Sequence, residues 1–391
     1  MSSALMQNYG TRELKFDRGE GSYLFTKDGE RYLDFGMGIA VNSLGHCNPK
    51  LIDALTDQAN RLWHTSNLYN IEPGEQLANK LVGSTFADRV FFCNSGTEAV
   101  ECGFKAIRRY FHAKGESHKN RIVSMSGAFH GRSLAAIASA ANPVHCEGFL
   151  VGDPGFEQAE FGNFESLLCA VNENTAGIII EPIQGEGGIS VAGLEYLKAV
   201  RELCDSRNIL LMFDEVQCGI ARTGTLYAYQ QLGVNPDILA TAKGLGGGFP
   251  IGACLATEEV ASALVPGTHG STFGGNPLAT AVGNAVMDTL NNSDFLNNVS
   301  ELGNYLKAEL SILVARYPQL LSDVKGLGLM LGLYCLTDAG QLITRLQEQN
   351  LLVVKAGGNS VRLLPALNVS KKEIDSAIEI ISKALSDIEN N

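Results

Sequence analysis

An apolar run that ends in acid, Ile209-Leu-Leu-Met-Phe-Asp214-Glu215-Val216, is followed further along by Lys243, which stands just before the glycine cluster Gly244-Leu-Gly-Gly-Gly-Phe-Pro-Ile-Gly. A carboxylate at the end of a buried strand can hold a protonated ring nitrogen, and a lysine amine at the end of a nearby strand can condense with an aldehyde. That pair is what pyridoxal phosphate requires of a protein: an amine to hold it, and an anion that keeps its ring cationic so that it accepts electrons. Taken singly, Asp214 is an ordinary polar strand end and Lys243 an ordinary solvated lysine. Jointly, with a phosphate cradle upstream and glycines downstream, the chemical reading is the stronger one.

The cradle is Asn94-Ser95-Gly96-Thr97-Glu98, which follows a strand and opens a helix. Free amides and the helix dipole favour a phosphate there, Gly96 permits close approach, and Thr97 adds a hydroxyl. An ordinary N-cap with Glu98 in the first turn accounts for the same residues. Gly127-Ala-Phe129-His130-Gly-Arg132 offers a ring to stack on a planar ligand and a guanidinium to grip a carboxylate; a core phenylalanine and a surface arginine are the plainer alternative. Arg362 lies among apolar residues, and a buried arginine needs an anion, internal or from substrate. Glu181 and Glu186, in Glu181-Pro-Ile-Gln-Gly-Glu186, are both candidates for the internal partner. The loop His269-Gly-Ser271-Thr272-Phe-Gly-Gly-Asn-Pro suits close approach of backbone or phosphate. The glycines after Lys243 are not a dinucleotide fingerprint, because G-x-G-x-x-G fails at Phe249, and no G-x-x-x-x-G-K-[ST] is present.

These residues need a rigid frame. From about residue 75, short apolar runs at Val90, Ile122, Gly177, Ile209, Ile238 and Ile251 alternate with helical stretches such as Thr97–Phe111 and Leu194–Arg207. The alternation predicts an α/β domain with a mostly parallel central sheet covered on both faces. Ligands of such sheets sit beyond the carboxyl ends of the strands, where Asp214 and Lys243 fall. Ahead of it, Tyr23-Leu-Phe-Thr and Arg31-Tyr-Leu-Asp-Phe flank Asp28-Gly29, a hairpin signal. After about residue 295 the pattern becomes that of a smaller α+β domain, with helices expected at 297–317, near 338–349 and from Lys371, and strands at Leu351–Val354 and around Arg362. The expected division is 61–295 for the large domain, and 1–60 with 296–391 for the small one.

The 391 residues suffice for two domains around a large core, and 45% hydrophobic with 18% charged content is that of a soluble globular enzyme. A net charge of −12 argues against nucleic acid or an anionic membrane surface as partner, so any anionic ligand must be held by local cations. The nine cysteines form no C-x-x-C and the seven histidines no H-E-x-x-H, which leaves a metal site without support and points to a reducing compartment. With no basic, apolar leader and no apolar stretch of the roughly 20 residues needed to span a bilayer, a cytoplasmic location is expected.

From Tyr32-Leu-Asp-Phe to Arg362-Leu-Leu-Pro the chain resembles the class III (ornithine-type, fold type I) pyridoxal-phosphate aminotransferases. Within that class, Gly36-Met-Gly-Ile-Ala-Val-Asn-Ser-Leu-Gly-His46, His64-Thr-Ser-Asn-Leu-Tyr69 and His269–Pro277 are most similar to members acting on acetylated ornithine with 2-oxoglutarate as acceptor. The resemblance implies a homodimer with shared sites and a role for each matching residue. Lys243 would hold the cofactor and, once released by substrate, move the proton; Asp214 would pair with the ring nitrogen. Gly96 and Thr97 would bind the phosphate, with Thr272 reaching it from the neighbouring subunit. Phe129 and Val216 would pack on the two ring faces, and Gln217 would bond the ring hydroxyl. Arg132 would take the carboxylate remote from the reacting amine, with Ser271 nearby. Arg362 would receive the α-carboxylate of glutamate, and Glu186 would cover that arginine when the other donor is bound.

Overall fold

The computed structural model describes residues 4–9, 13–150 and 152–390. Its largest sheet has seven strands in the order Arg89–Cys93, Gly252–Ala256, Ile238–Thr241, Leu210–Asp214, Thr175–Ile180, Arg121–Met125, Phe156–Ala159. Strand Gly252–Ala256 runs antiparallel to both neighbours, and the other pairings are parallel. The central strands are buried throughout, as expected where helices cover both faces: every residue of Thr175–Ile180, Leu210–Asp214 and Ile238–Thr241 is sealed from solvent. Phe156-Glu-Gln-Ala159 escapes the sequence pattern because two polar side chains break its apolar run on an edge strand.

Helix Gly96–Ala113 crosses this sheet with Ala99, Val100, Phe104, Ile107 and Phe111 turned inward. Gly103 lets it approach closely, since a Cβ there would strike the Met212 side chain. Each large apolar side chain so buried contributes about 1.5–3 kcal/mol. The helix start is therefore fixed relative to the carboxyl end of strand Leu210–Asp214.

The hairpin forms as expected: Tyr23–Thr26 pairs antiparallel with Arg31–Asp34, and Gly29 takes φ 87° between them. The same small sheet is completed from the far end of the chain, Leu33 pairing in parallel with Leu351. The expected strand over 351–354 divides at Val353. Leu351–Leu352 joins the N-terminal sheet, while Val354–Ala356 joins a four-stranded antiparallel sheet with Leu321–Leu327, Met330–Cys335 and Ser360–Leu363. Helices Ser293–Arg316, Ala339–Glu348 and Lys371–Glu389 complete this smaller part. Arg222, 2% exposed, donates from Nη1 to the carbonyls of Leu329 (3.1 Å) and Pro365, so a loop after the central strand grips the smaller sheet directly.

Candidate active site

Strand Leu210–Asp214 ends in two acids with separate duties. Glu215 turns away, accepting from the amides of Ala228 (2.6 Å) and Tyr229 (2.8 Å) and so capping the following short helix; burial pushes its carboxyl up to about 7. Asp214, 4% exposed, turns into a cavity of about 310 Å³. Its Oδ1 accepts from the Val216 amide at 3.0 Å, and its Oδ2 lies 2.7 Å from Nδ1 of His130. Burial alone would lower the affinity of His130 for a proton, but the bond to Asp214 and the charges of Asp214 and Glu181 outweigh it, and its pKa is raised. The imidazole is thus held as a donor toward Asp214.

Lys243 enters the same cavity from the next strand. Strand Ile238–Thr241 ends two residues earlier, and Lys243 opens a tight 3-10 turn, Lys243–Gly246, with φ 44°. A left-handed conformation at a non-glycine residue costs on the order of 1–3 kcal/mol and persists only where the surroundings enforce it. Ser43 does so in part, its hydroxyl donating to the Gly244 carbonyl at 2.9 Å. Burial, then the charge of Arg362, lowers the Lys243 amine to about 8 against the pull of Glu186, Asp214 and Glu181. An amine in that range is a competent nucleophile near neutral pH.

The cradle serves both of its readings at once. Ser95 caps the helix by accepting from the Glu98 amide, and Glu98 in turn accepts from Asn94 and from the Ser95 hydroxyl. With the cap thus satisfied, Ser95, Gly96 and Thr97 line the cavity at the helix N-terminus, where an anion is favoured. Gly96 abuts Val216: a Cβ on it would stand 2.6 Å from Cγ1 of that valine. Phe129 and Val216 both line the cavity and contribute apolar surface that suits a planar ring. Amine, buried acid, anion-binding helix start and apolar surface match the aldehyde, ring nitrogen, phosphate and faces of pyridoxal phosphate.

Arg362 is fully buried in strand Ser360–Leu363. Its Nη1 donates to Glu186 Oε1 at 2.8 Å and to Gln217 Oε1 at 2.7 Å, while its Nε has no partner. Of the two acids on the Glu181–Glu186 segment, the arginine's partner is therefore Glu186. Glu181 instead accepts from the amides of Phe129 and Gly185. The oxygen of Gln217 is engaged by Arg362, a contact that the expected bond to the ring hydroxyl did not foresee.

The remaining expected residues lie outside the cavity wall. Arg132 is exposed, its guanidinium 5.3 Å from the Phe129 ring centroid and its amide donating to Thr97 Oγ1 at 3.3 Å. Ser271 accepts from Asn94 Nδ2 at 3.2 Å and lines a separate concavity with Asn67, Leu68 and Tyr69. Thr272 is exposed and lines neither. His130 and Val41 line the wall without having been assigned a role, although both stand inside segments already singled out, Gly127–Arg132 and Gly36–His46. Among the described residues no group of three or more His, Cys, Asp or Glu side chains could hold a metal ion, and no helix is long and apolar enough to cross a membrane.

A family model described as class-III aminotransferase matches residues 5–385. Similar curated proteins include an acetylornithine aminotransferase of Rhodobacter capsulatus, 49% identical over 389 residues that cover 100% of this chain and 99% of that one. Another, from Agrobacterium fabrum, is 48% identical over 383 residues, covering 98% and 96%. Among solved structures, ornithine aminotransferase from Toxoplasma gondii superposes with a TM-score of 0.94 at 32% identity, covering 99% of this chain and 93% of that one. N-acetylornithine aminotransferase from Stenotrophomonas maltophilia does so with a TM-score of 0.86 at 36% identity, covering 98% of each. The likeness spans nearly the whole chain, large sheet and smaller sheets alike, and the chain belongs to the class III aminotransferases, which use pyridoxal phosphate.

Proposed function

We propose that this enzyme moves the terminal amino group of N2-acetyl-L-ornithine to 2-oxoglutarate, giving N-acetyl-L-glutamate 5-semialdehyde and L-glutamate, a step of arginine biosynthesis. One observation carries the reading: a buried arginine, Arg362, stands behind the cavity wall and is paired with a partly exposed acid, Glu186, which lines the cavity together with Lys243 and Asp214. An ornithine-type donor presents its carboxylate far from the reacting amine, whereas glutamate carries carboxylates at both ends. A site for both needs one permanent cation and one that can be masked. Arg132 at the rim is the permanent one in this reading, with Ser271 beside it, and Arg362 the maskable one.

The bound cofactor supplies an electron sink for the carbanion at the reacting carbon. Lys243 Nζ, neutral in a useful fraction near pH 8, takes the proton from that carbon and returns it. Asp214, held by His130 and the Val216 amide, keeps the ring nitrogen protonated. Gly96, Thr97 and the helix start hold the phosphate, Phe129 and Val216 fix the ring plane, and Gln217 bridges Arg362 to the ring side of the cavity.

The proposal includes a cytoplasmic homodimer in which Thr272 completes the neighbour's phosphate site, and the division into domains 61–295 and 1–60 with 296–391. Exposed Trp63, Leu68, Tyr69 and Phe273, at 60–84% exposure around the Ser271–Thr272 loop, give such a dimer an apolar face to bury. Mixing Lys243→Ala and Thr272→Ala subunits should restore one intact site per mixed dimer. For the substrate, kcat/KM should be measured with acetylated ornithine, free ornithine, succinylornithine and 4-aminobutyrate, each against 2-oxoglutarate. Acetylated ornithine should be preferred; a clear preference for another amine would overturn the substrate assignment and leave the chemistry standing.

A further inference from the structure

Glu181 is a buried carboxylate, 6% exposed, that none of the assigned roles uses. It follows strand Thr175–Ile180 and lines the cavity with Lys243 and Asp214. Its two oxygens serve different loops: Oε2 accepts from the Phe129 amide at 3.1 Å, and Oε1 from the Gly185 amide at 3.3 Å. Among the described residues it forms no ion pair with lysine or arginine. Gly185 is followed directly by Glu186, whose carbonyl accepts from the Gly357 amide at 2.8 Å. The segment that presents Glu186 to Arg362 is therefore pinned on one side by Glu181 and on the other by the smaller sheet. Beyond it, Gly187 and Gly188 accept from the hydroxyls of Ser190 and Tyr334, and Ile183–Gln184 pairs with Ser190–Val191 across the turn, so Gly185 is the point at which the site's own side of the cavity holds this hairpin. A second tie, Gln184 Nε2 to the Ser126 carbonyl at 2.9 Å, joins the same two loops.

We propose that Glu181 is a positioning residue for donor choice: by holding the Gly185 amide it keeps Glu186 over Arg362, and by holding the Phe129 amide it ties that mask to the wall that seats the cofactor ring. This rests on the reading of Arg362 and Glu186 given above. An ionised carboxylate accepts both amides, whereas a protonated or amidated one turns a donor toward one of them and releases that loop. Burial pushes the Glu181 carboxyl up to about 7, opposed by the charge of His130 and reinforced by that of Asp214. The other titratable groups facing it are Cys218, from the loop after the adjacent strand Leu210–Asp214, and Lys243, from the turn after Ile238–Thr241, one strand further on. Lowering the pH through 7 should therefore loosen the mask and favour two-carboxylate ligands.

The test uses holoenzyme of the parent, Glu181→Gln, Glu186→Ala and the double variant. Two readouts are taken: the calorimetric Kd for glutarate, an unreactive dicarboxylate, and single-turnover kcat/KM for glutamate and for acetylated ornithine. Loss of one charge-assisted hydrogen bond is worth about tenfold, so Glu181→Gln should bind glutarate about tenfold tighter and shift the donor ratio equally toward glutamate. In the Glu186→Ala background, where no mask remains, the same substitution should change neither. Equal loss with both donors, or an effect that persists without Glu186, would overturn the proposal. Should Glu181→Gln not fold, the parent decides: its glutarate Kd should tighten from pH 8 to pH 6, and a flat or opposite profile overturns the inference. Glutarate binding does not depend on which amine is the donor, so failure of the substrate assignment would be seen separately.

Discussion

Replacing His130 by alanine probes the innermost contact of the cavity. His130 and Asp214 are both sealed from solvent and meet at 2.7 Å, and the imidazole is the side-chain partner of the carboxylate. Without it, Asp214 keeps the Val216 amide at 3.0 Å and loses its fixed orientation. A hydrogen bond to a charged group contributes about 1.5–3 kcal/mol, which at 1.4 kcal/mol per decade corresponds to about 10- to 100-fold. That loss should appear as weaker cofactor binding combined with a lower rate of the first half-reaction. Absorbance titration of cofactor-free protein with pyridoxal phosphate, followed by single turnovers under saturation, separates the two parts. His130→Asn, whose amide nitrogen can stand where Nδ1 stood, should recover most of the loss, while a cavity effect on folding would persist in its thermal midpoint. If alanine and asparagine behave alike, or if alanine matches the parent in both measurements, the orientation of Asp214 by His130 has no catalytic consequence.

Other substitutions probe the rest of the cavity. Lys243→Ala should abolish turnover, and borohydride trapping of an aldehyde on cofactor-free parent should rise with pH to a plateau with a midpoint near 8; a midpoint close to 10.5 would contradict the effect of burial. The folded state binds this proton less tightly than the unfolded chain, so the group's destabilising effect is full below pH 8 and fades as pH rises toward 10.5. Gly96→Ala places a Cβ 2.6 Å from Val216 Cγ1 and should cost about 1–3 kcal/mol of overpacking, read as weaker cofactor affinity in the same titration. Arg222→Met strands the Leu329 and Pro365 carbonyls and should lower stability by about 1–3 kcal/mol for each acceptor left unpaired, measured by urea unfolding.

The chemistry was more legible in the chain than its wiring. Asp214 and Lys243 could be read because each ends an apolar run, and a charge in that position is visible in one dimension. The bond from His130 to Asp214 joins residues 84 positions apart, and that from Gln217 to Arg362 joins residues 145 apart. Such pairings depend on which strands become neighbours, which local pattern does not encode. Strand Phe156–Ala159 was hidden by its own polar side chains, and the break at Val353 by the lack of any turn residue there. The left-handed backbone of Lys243 could not be anticipated, because nothing in the identity of a lysine asks for it.

The junction of Leu33 with Leu351 bears on how the polypeptide is made. The first three strands of that ribbon leave the ribosome early, but their fourth arrives only when translation is almost finished, a delay on the order of tens of seconds at ordinary elongation rates. Throughout that interval Tyr32 and Leu33 have no roof, and the Arg31–Asp34 edge offers open hydrogen-bonding positions to any other nascent chain. Shielding that waiting front end during synthesis should therefore raise the yield of folded chain in a heterologous host.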